Sequence, residues 1–154
     1  MISIKTKSVT DILNSSIEAI KSVIPLSIKT IQPTLLTEPF SQNGIGVLIG
    51  ITGDVKVRMI IDGEQESFQG LGASMFGMPL EGPMLESFAG EVGNMIAGNL
   101  ATIITRAGYT VDITPPTIIV GQSNMYGFDK ALRLPLTLEN VGNFSIILMF
   151  EKSL

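Results

Sequence analysis

The stretch from Pro83 to Gly108 reads PMLESFAGEVGNMIAGNLATIITRAG, and its periodicity organises the rest of the chain. A helix turns ~100° per residue. On that wheel Leu85, Phe88, Ala89, Val92, Ile96, Leu100 and Ile103 share one side, a stripe suited to a core. Ser87, Glu91, Asn94 and Gly98 share the opposite side within an arc of roughly 60°, flanked by Gly90, Ala97 and Ala101. The expected helix runs from Met84 to Ala107, with Gly108 placed to end it. Outer faces of surface helices are usually crowded with Lys and Glu. Here one carboxylate and one carboxamide stand a turn apart on a floor of small side chains. Gly90, Gly93 and Gly98 each cost the helix about 1 kcal/mol relative to alanine. A helix that gives up stability for smoothness is expected to have something lying close against it.

Outward from this helix the chain alternates in blocks. A first helix is expected from a cap at Thr10 or Asp11 to about Ile24, ended by Pro25, with Ile12, Ser16, Ile20 and Val23 on one face. Asn14, Ser15, Glu18 and Lys21 make its solvated face. Ser27 to Phe40, broken by Pro33 and Pro39, reads as an extended arm or edge strand. Gly44–Ile51 and Val55–Asp62 read as a hairpin joined at Thr52-Gly53-Asp54. Glu64–Phe76 is a weaker helix containing Gly70 and Gly72. After the long helix come Tyr109–Ile113, a strand at Thr117–Val120, a loop from Gln122 to Lys130, and paired strands at Ala131–Leu138 and Phe144–Phe150. Pro135 is best tolerated at a sheet edge or bulge. Blocks of helices and strands favour an α+β fold, helices packed on a largely antiparallel β-sheet, in a single domain over 1–154.

Composition narrows the chemistry. The chain has no cysteine and no histidine, which removes disulfides, thiolate metal sites, thiol nucleophiles and Ser-His-Asp catalysis. Only 16% of residues are charged, and the net charge is −4 with scattered Lys and Arg, so nucleic acid is not an expected partner. The longest apolar run, near Ile45–Ile51, falls far short of the ~20 residues of a membrane helix. The N-terminal MISIKTKSVTD has no hydrophobic signal core. A cytoplasmic protein without membrane contact is the expectation.

Glu91 and Asn94, at i and i+3, share one helix face with Ser87 and Gly98. A carboxamide offers a donor and an acceptor and can hold a water in line with an electrophile. A carboxylate can pair with a partner's lysine. Neither is a good exposed nucleophile, so the pair suits positioning a water for hydrolysis; a merely solvated Glu and Asn is the bland alternative. Gly70, Gly72 and Gly77 lack the Gly-Lys-Ser/Thr of a phosphate loop and read as close helix packing. Asp54, Asp62, Glu64 and Glu66 lack calcium-loop spacing and read as solvated turn charges. Low charge with many Met and Ile also leaves room for a carrier of apolar ligands.

Ser87-x-x-x-Glu91-x-x-Asn94, continuing through Met95, Ala97 and Gly98, resembles the signature helix of the CheC/CheX/FliY family of chemotaxis phosphatases. Gly108 to Gly121 (GYTVDITPPTIIVG) and the Ile49-Gly50-Ile51-Thr52-Gly53 turn are similar to the CheX branch, as is the single Glu-x-x-Asn helix. The resemblance implies a CheC/CheX-like fold and hydrolysis of the aspartyl phosphate on a CheY-type response regulator. It casts Asn94 as the residue that orients the attacking water and Glu91 as the pair of the regulator's lysine. Ser87, Gly90, Ala97 and Gly98 become partner contacts. No cofactor is implied on this chain itself: Mg2+ is expected on the partner regulator. A homodimer is implied as well. The alternative within the same fold is a non-catalytic module that binds a receiver domain or a flagellar-motor component.

Overall fold

Two hairpins of alternating apolar residues build the centre of the molecule. The computed structural model describes residues 2–42 and 44–151; the remaining residues of the expected 1–154 domain, together with the first residue of the N-terminal signal reading, lie outside the described residues. The first hairpin pairs β4 (Ile45–Gly53) with β5 (Val57–Gly63), antiparallel, Val47 opposite Ile61 and Ile51 opposite Val57. The second pairs β9 (Lys130–Leu138) with β10 (Gly142–Phe150), Leu134 opposite Ile146. The hairpins join through β5 and β10, Ile61 opposite Ile146. Along one side, β1 (Ile28–Thr30) and β2 (Thr34–Leu36) share the free edge of β9. Along the other, β6 (Val111–Ile113) and β7 (Thr117–Val120) share the free edge of β4. Every pairing is antiparallel, and the architecture is α+β.

Period-two alternation sends Ile45, Val47, Ile49 and Ile51 of β4 and Val57, Met59 and Ile61 of β5 to one face. Phe144, Ile146 and Leu148 of β10 and Leu134, Leu136 and Leu138 of β9 join them. On this face lie α1 (Ile2–Val23) and α3 (Gly82–Arg106), packed side by side, with α2 (Gln65–Phe76) against β10 and α3. Phe68 of α2 meets Phe144 edge-to-face at 5.1 Å. The other face carries a smaller apolar cluster of Phe40, Ile60, Ala131, Ile147 and Met149. It is covered by a ribbon of β3 (Phe40–Gln42) and β8 (Ser123–Met125). Gln42, 1% exposed, anchors that ribbon: its Nε2 donates to Gly44 O (2.8 Å) and Ile119 O (3.1 Å), and its Oε1 accepts from Ser123 Oγ (3.0 Å).

Several expectations are corrected. Helix α1 begins well before Thr10 and Asp11, which lie inside it, and Ser15 is buried rather than solvated. The loop expected from Gln122 holds β8. Pro135 sits in an interior strand, opposite Ser145 of β10. Its carbonyl accepts from Ile31 N–H (2.9 Å), in the break between β1 and β2. A residue's N–H and C=O point to the same side of a strand, so the donor that proline lacks would fall at that break, where the ladder is already interrupted.

Asp62 is no solvated turn charge either. It is half-buried on the outer face of β5, opposite Ser145. Burial pushes its carboxyl up from 3.8 to about 6, against the opposing pull of the Arg133 guanidinium, whose Nε donates to Ser145 Oγ (3.2 Å). An acid with a raised folded pKa binds more protons folded than unfolded, so stability falls as pH rises from about 4 to about 6 and is flat above. For a half-buried, solvent-screened group the loss is on the order of 1–2 kcal/mol. Melting curves of wild type and Asp62→Asn at pH 4.5 and 7.5 check this. The variant is expected to melt higher at pH 7.5 and to lose most of the dependence across that window.

Candidate functional site on helix α3

Both ends of helix α3 follow its sequence. Pro83 lies in its first turn, where a missing N–H leaves no bond unmade. At the far end Gly108 adopts φ 102°; Gly108 N–H donates to Thr105 O (3.1 Å) and Tyr109 N–H to Ile104 O (3.2 Å). These paired bonds make a Schellman motif and absorb the helix's last carbonyls, as the sequence position of Gly108 suggested. Tyr109 OH then donates to Asp11 Oδ2 (2.7 Å), tying the end of α3 to α1.

The buried stripe is Leu85, Phe88, Ala89, Val92, Gly93, Ile96, Ala97, Leu100 and Ile104. Two differences from expectation follow. Ile104 rather than Ile103 is the deep residue of the last turns, Ile103 being half-buried at the margin of the core. The stripe is also wider than the apolar pattern suggests, because it takes in small residues. Ala97 is 1% exposed and belongs to the core, so it is corrected from partner contact to packing residue.

The glycines divide by face. A Cβ on Gly93 would overlap Val47 Cγ1 of β4, so its bareness brings the helix backbone down onto the sheet. A Cβ on Gly90 would lie 3.1 Å from Ile118 Cδ1 of β7, and Gly90 is half-buried there. Gly98 alone of the three faces open space. The smoothness of the outer face therefore rests on Gly98, while Gly90 and Gly93 serve packing. Gly70 and Gly72 of α2 behave similarly, a Cβ on Gly72 falling 2.9 Å from Leu80 Cδ1, and Gly77 (φ 73°) ends α2.

Ser87, Glu91, Asn94 and Gly98 are all exposed and lie along one face of α3 over successive turns. Among the described residues no hydrogen bond or ion pair engages the side chains of Glu91 or Asn94. Beyond them the surface stays low. Asn99 Nδ2 donates back to Met95 O (2.9 Å) and Thr102 Oγ1 to Gly98 O (3.1 Å), so both side chains lie down on the helix. Asn94, Met95, Gly98, Asn99 and Thr102 thereby line a shallow open depression of about 350 Å³. Asn99 and Thr102 were not among the expected site residues. Their positions on the wheel, one turn past Met95 and Gly98, were the available signal. The face offers a carboxylate, a carboxamide and clearance beyond them.

Inside the core, the space bounded by Ile20, Phe68, Val92, Ile96 and Ile146 amounts to about 10 Å³, room for one water at most and too little for the apolar ligand of a carrier. Among the described residues no cluster of three or more acidic, His or Cys side chains could hold a metal ion, and no helix is long and apolar enough to cross a membrane.

This arrangement of helices and sheet recurs in solved structures. A CheC-like superfamily protein from Shewanella sp. PV-4 and a CheX-CheY-BeF3-Mg+2 complex from Borrelia burgdorferi match with TM-scores of 0.77 and 0.75, at 21% and 24% identity, over 94% of this chain and 97% of each matched chain. The fold is therefore the one these two structures share. Sequence takes the assignment one step further. The family model described as chemotaxis phosphatase CheX matches residues 45–130. A CheY-P phosphatase CheX from Thermotoga maritima is 30% identical over 140 residues, 88% of this chain and 90% of that protein. The chain belongs to the CheX family of chemotaxis phosphatases.

Proposed function

We propose that this chain accelerates hydrolysis of the aspartyl phosphate on a CheY-type response regulator, with Asn94 and Glu91 as the working residues. The observation that carries the reading is the placement of both side chains on one face of α3, exposed and without a hydrogen bond or ion pair among the described residues, on a helix whose C-terminal end is tied to α1. Family membership supports it, and so does the 30%-identical relative from Thermotoga maritima, a CheY-P phosphatase.

In the proposed reaction α3 lies across the regulator's phosphorylation pocket. Glu91 pairs with the regulator's lysine and sets the register of docking. The Asn94 carboxamide enters the pocket, accepts a hydrogen bond from a water and holds its oxygen in line with phosphorus. That oxygen bonds to phosphorus as the bond from phosphorus to the aspartyl oxygen breaks. Aspartate leaves as a carboxylate and inorganic phosphate is released. Phosphoryl transfer asks mainly for positioning and charge stabilisation. The regulator supplies the latter through its lysine and Mg2+, so a positioned amide is sufficient equipment for a chain without Cys or His. Gly98, with Asn99 and Thr102 folded back, leaves clearance beyond Asn94; Ser87 and the open edge of Gly90 are peripheral contacts. We also infer a homodimer, for which the exposed Leu35 and Val120 at opposite sheet edges offer apolar surface.

The test is decay of the phosphorylated cognate regulator with and without this protein. Faster decay is expected. Binding of the beryllofluoride-loaded regulator without faster decay would instead favour a non-catalytic docking module.

A further inference from the structure

Among the described residues eight large apolar side chains are exposed, and four of them fall on α3 or in the end of α2 and the connection that precede it: Phe76 (61%), Met78 (54%), Met84 (61%) and Met95 (39%). Met84 stands on the exposed face one turn before Ser87 and two turns before Glu91; Met95 follows Asn94 directly. Phe76, the last residue of α2, packs on Phe88 of α3, and Met78 follows two residues later in the connection that leads into α3. We propose that Phe76, Met78 and Met84 form an apolar rim that contacts the receiver domain beside its phosphorylation pocket and sets affinity, while Glu91 and Asn94 act inside the pocket. The inference rests on the receiver-docking reading of α3 and adds to it a second contact surface.

Continuity is the first argument. Met84 belongs to the same row of turns as Ser87 and Glu91, so a partner lying along that row far enough to reach Asn94 also covers Met84.

Preorganisation is the second. The Phe76 ring packs edge-to-face on buried Phe88, centroids 5.6 Å apart, and is held at the surface. The connection between α2 and α3 is fixed by Gly77 (φ 73°), by buried Leu80 and by Gly82 (φ 55°), with Pro79 and Pro83 limiting its freedom. A surface ordered in advance loses little entropy on binding. The two methionines supply contact that can adapt to small differences in a partner.

The third argument is chemical. Exposed Glu81 and Glu86 stand beside the apolar group, giving the apolar centre and polar margin of a contact surface. Wholly hydrated surface would gain nothing from Phe and Met at these positions.

The experiment compares wild type with the triple variant Phe76→Ser/Met78→Ser/Met84→Ser, using a phosphorylated receiver for rate and a beryllofluoride-loaded receiver for binding. All three positions are exposed, and circular dichroism verifies the fold of the variant. The rim predicts KM and Kd raised tenfold or more, with kcat at saturation within twofold of wild type. Wild-type KM and Kd in the triple variant would overturn the rim while leaving the phosphatase reading intact. If wild type binds the loaded receiver without accelerating decay, weakened binding by the triple variant sustains the rim and the phosphatase reading falls. If wild type does not bind at all, both fall. Sedimentation of both proteins supplies the remaining outcome: a wild-type dimer that becomes a monomer in the triple variant assigns these side chains to a second copy of the chain and overturns the proposal.

Discussion

Replacing Asn94 by alanine is expected to lower the rate of regulator dephosphorylation at saturating protein by about a hundredfold, with folding stability unchanged. The size follows from what the carboxamide supplies. Losing a single positioned hydrogen-bonding group at a reacting centre costs about 2.7–4 kcal/mol, a factor of 10² to 10³. The lower end applies here, because water has other access to the phosphorus and the regulator keeps its own metal and lysine. Stability is spared because the side chain is exposed and makes no bond within the described residues, and alanine favours a helix over asparagine. Glu91→Ala is expected to act differently. It removes a docking charge, so the loss falls mainly on KM. Decay kinetics over a range of protein concentrations separate the two effects.

Gly93→Val is expected to destabilise the fold by about 3 kcal/mol or more, an estimate from overpacking in cores. The added Cβ would overlap Val47 Cγ1, with Ile49 Cδ1 3.7 Å away, and two further methyls have nowhere to go except by lifting α3 from β4. Valine gains back only a few tenths of a kcal/mol over glycine in helix propensity, so packing decides the sign. For a domain of this length the shift in Tm is about 6–12 °C downward. Gly98→Ala provides the contrast. Its Cβ meets nothing within 4 Å, so the propensity gain of about 1 kcal/mol stands alone and Tm should rise slightly. Thermal melts of the two variants distinguish a glycine that seats the helix from one that bares its outer face.

These glycines also show where the sequence was legible and where it was not. The long helix, its end at Gly108 and the two central hairpins were plain, because strong 3.6- and 2-residue periods survive in a single sequence. Glu91 and Asn94 could be placed outward for the same reason. A glycine or alanine leaves no such record: Gly93 facing Val47, Gly98 facing solvent and Ala97 in the core look alike on a helical wheel. Strand β8 was hidden because its residues, Ser123-Asn124-Met125, carry no strand pattern and gain their conformation from β3, which precedes them by about eighty positions. Asp62 was misread because its burial depends on its pairing with β10, a strand about eighty positions further along the chain. Local pattern placed Glu91 and Asn94 on the exposed face; long-range packing decided which small and polar residues are buried.

Helix α3 is mounted on the sheet with its buried side set by Leu85, Val92, Gly93 and Ile96 and its exposed side by Glu91, Asn94 and Gly98, the side we propose acts on the regulator. The most direct test of that account is single-turnover decay of the phosphorylated cognate regulator as this protein is raised to excess. The decay constant is expected to climb with protein concentration and saturate well above the regulator's own rate, with the plateau lowered about a hundredfold toward that rate in Asn94→Ala. A decay constant that stayed at the regulator's own rate at every concentration, or one that climbed equally with Asn94→Ala, would contradict it.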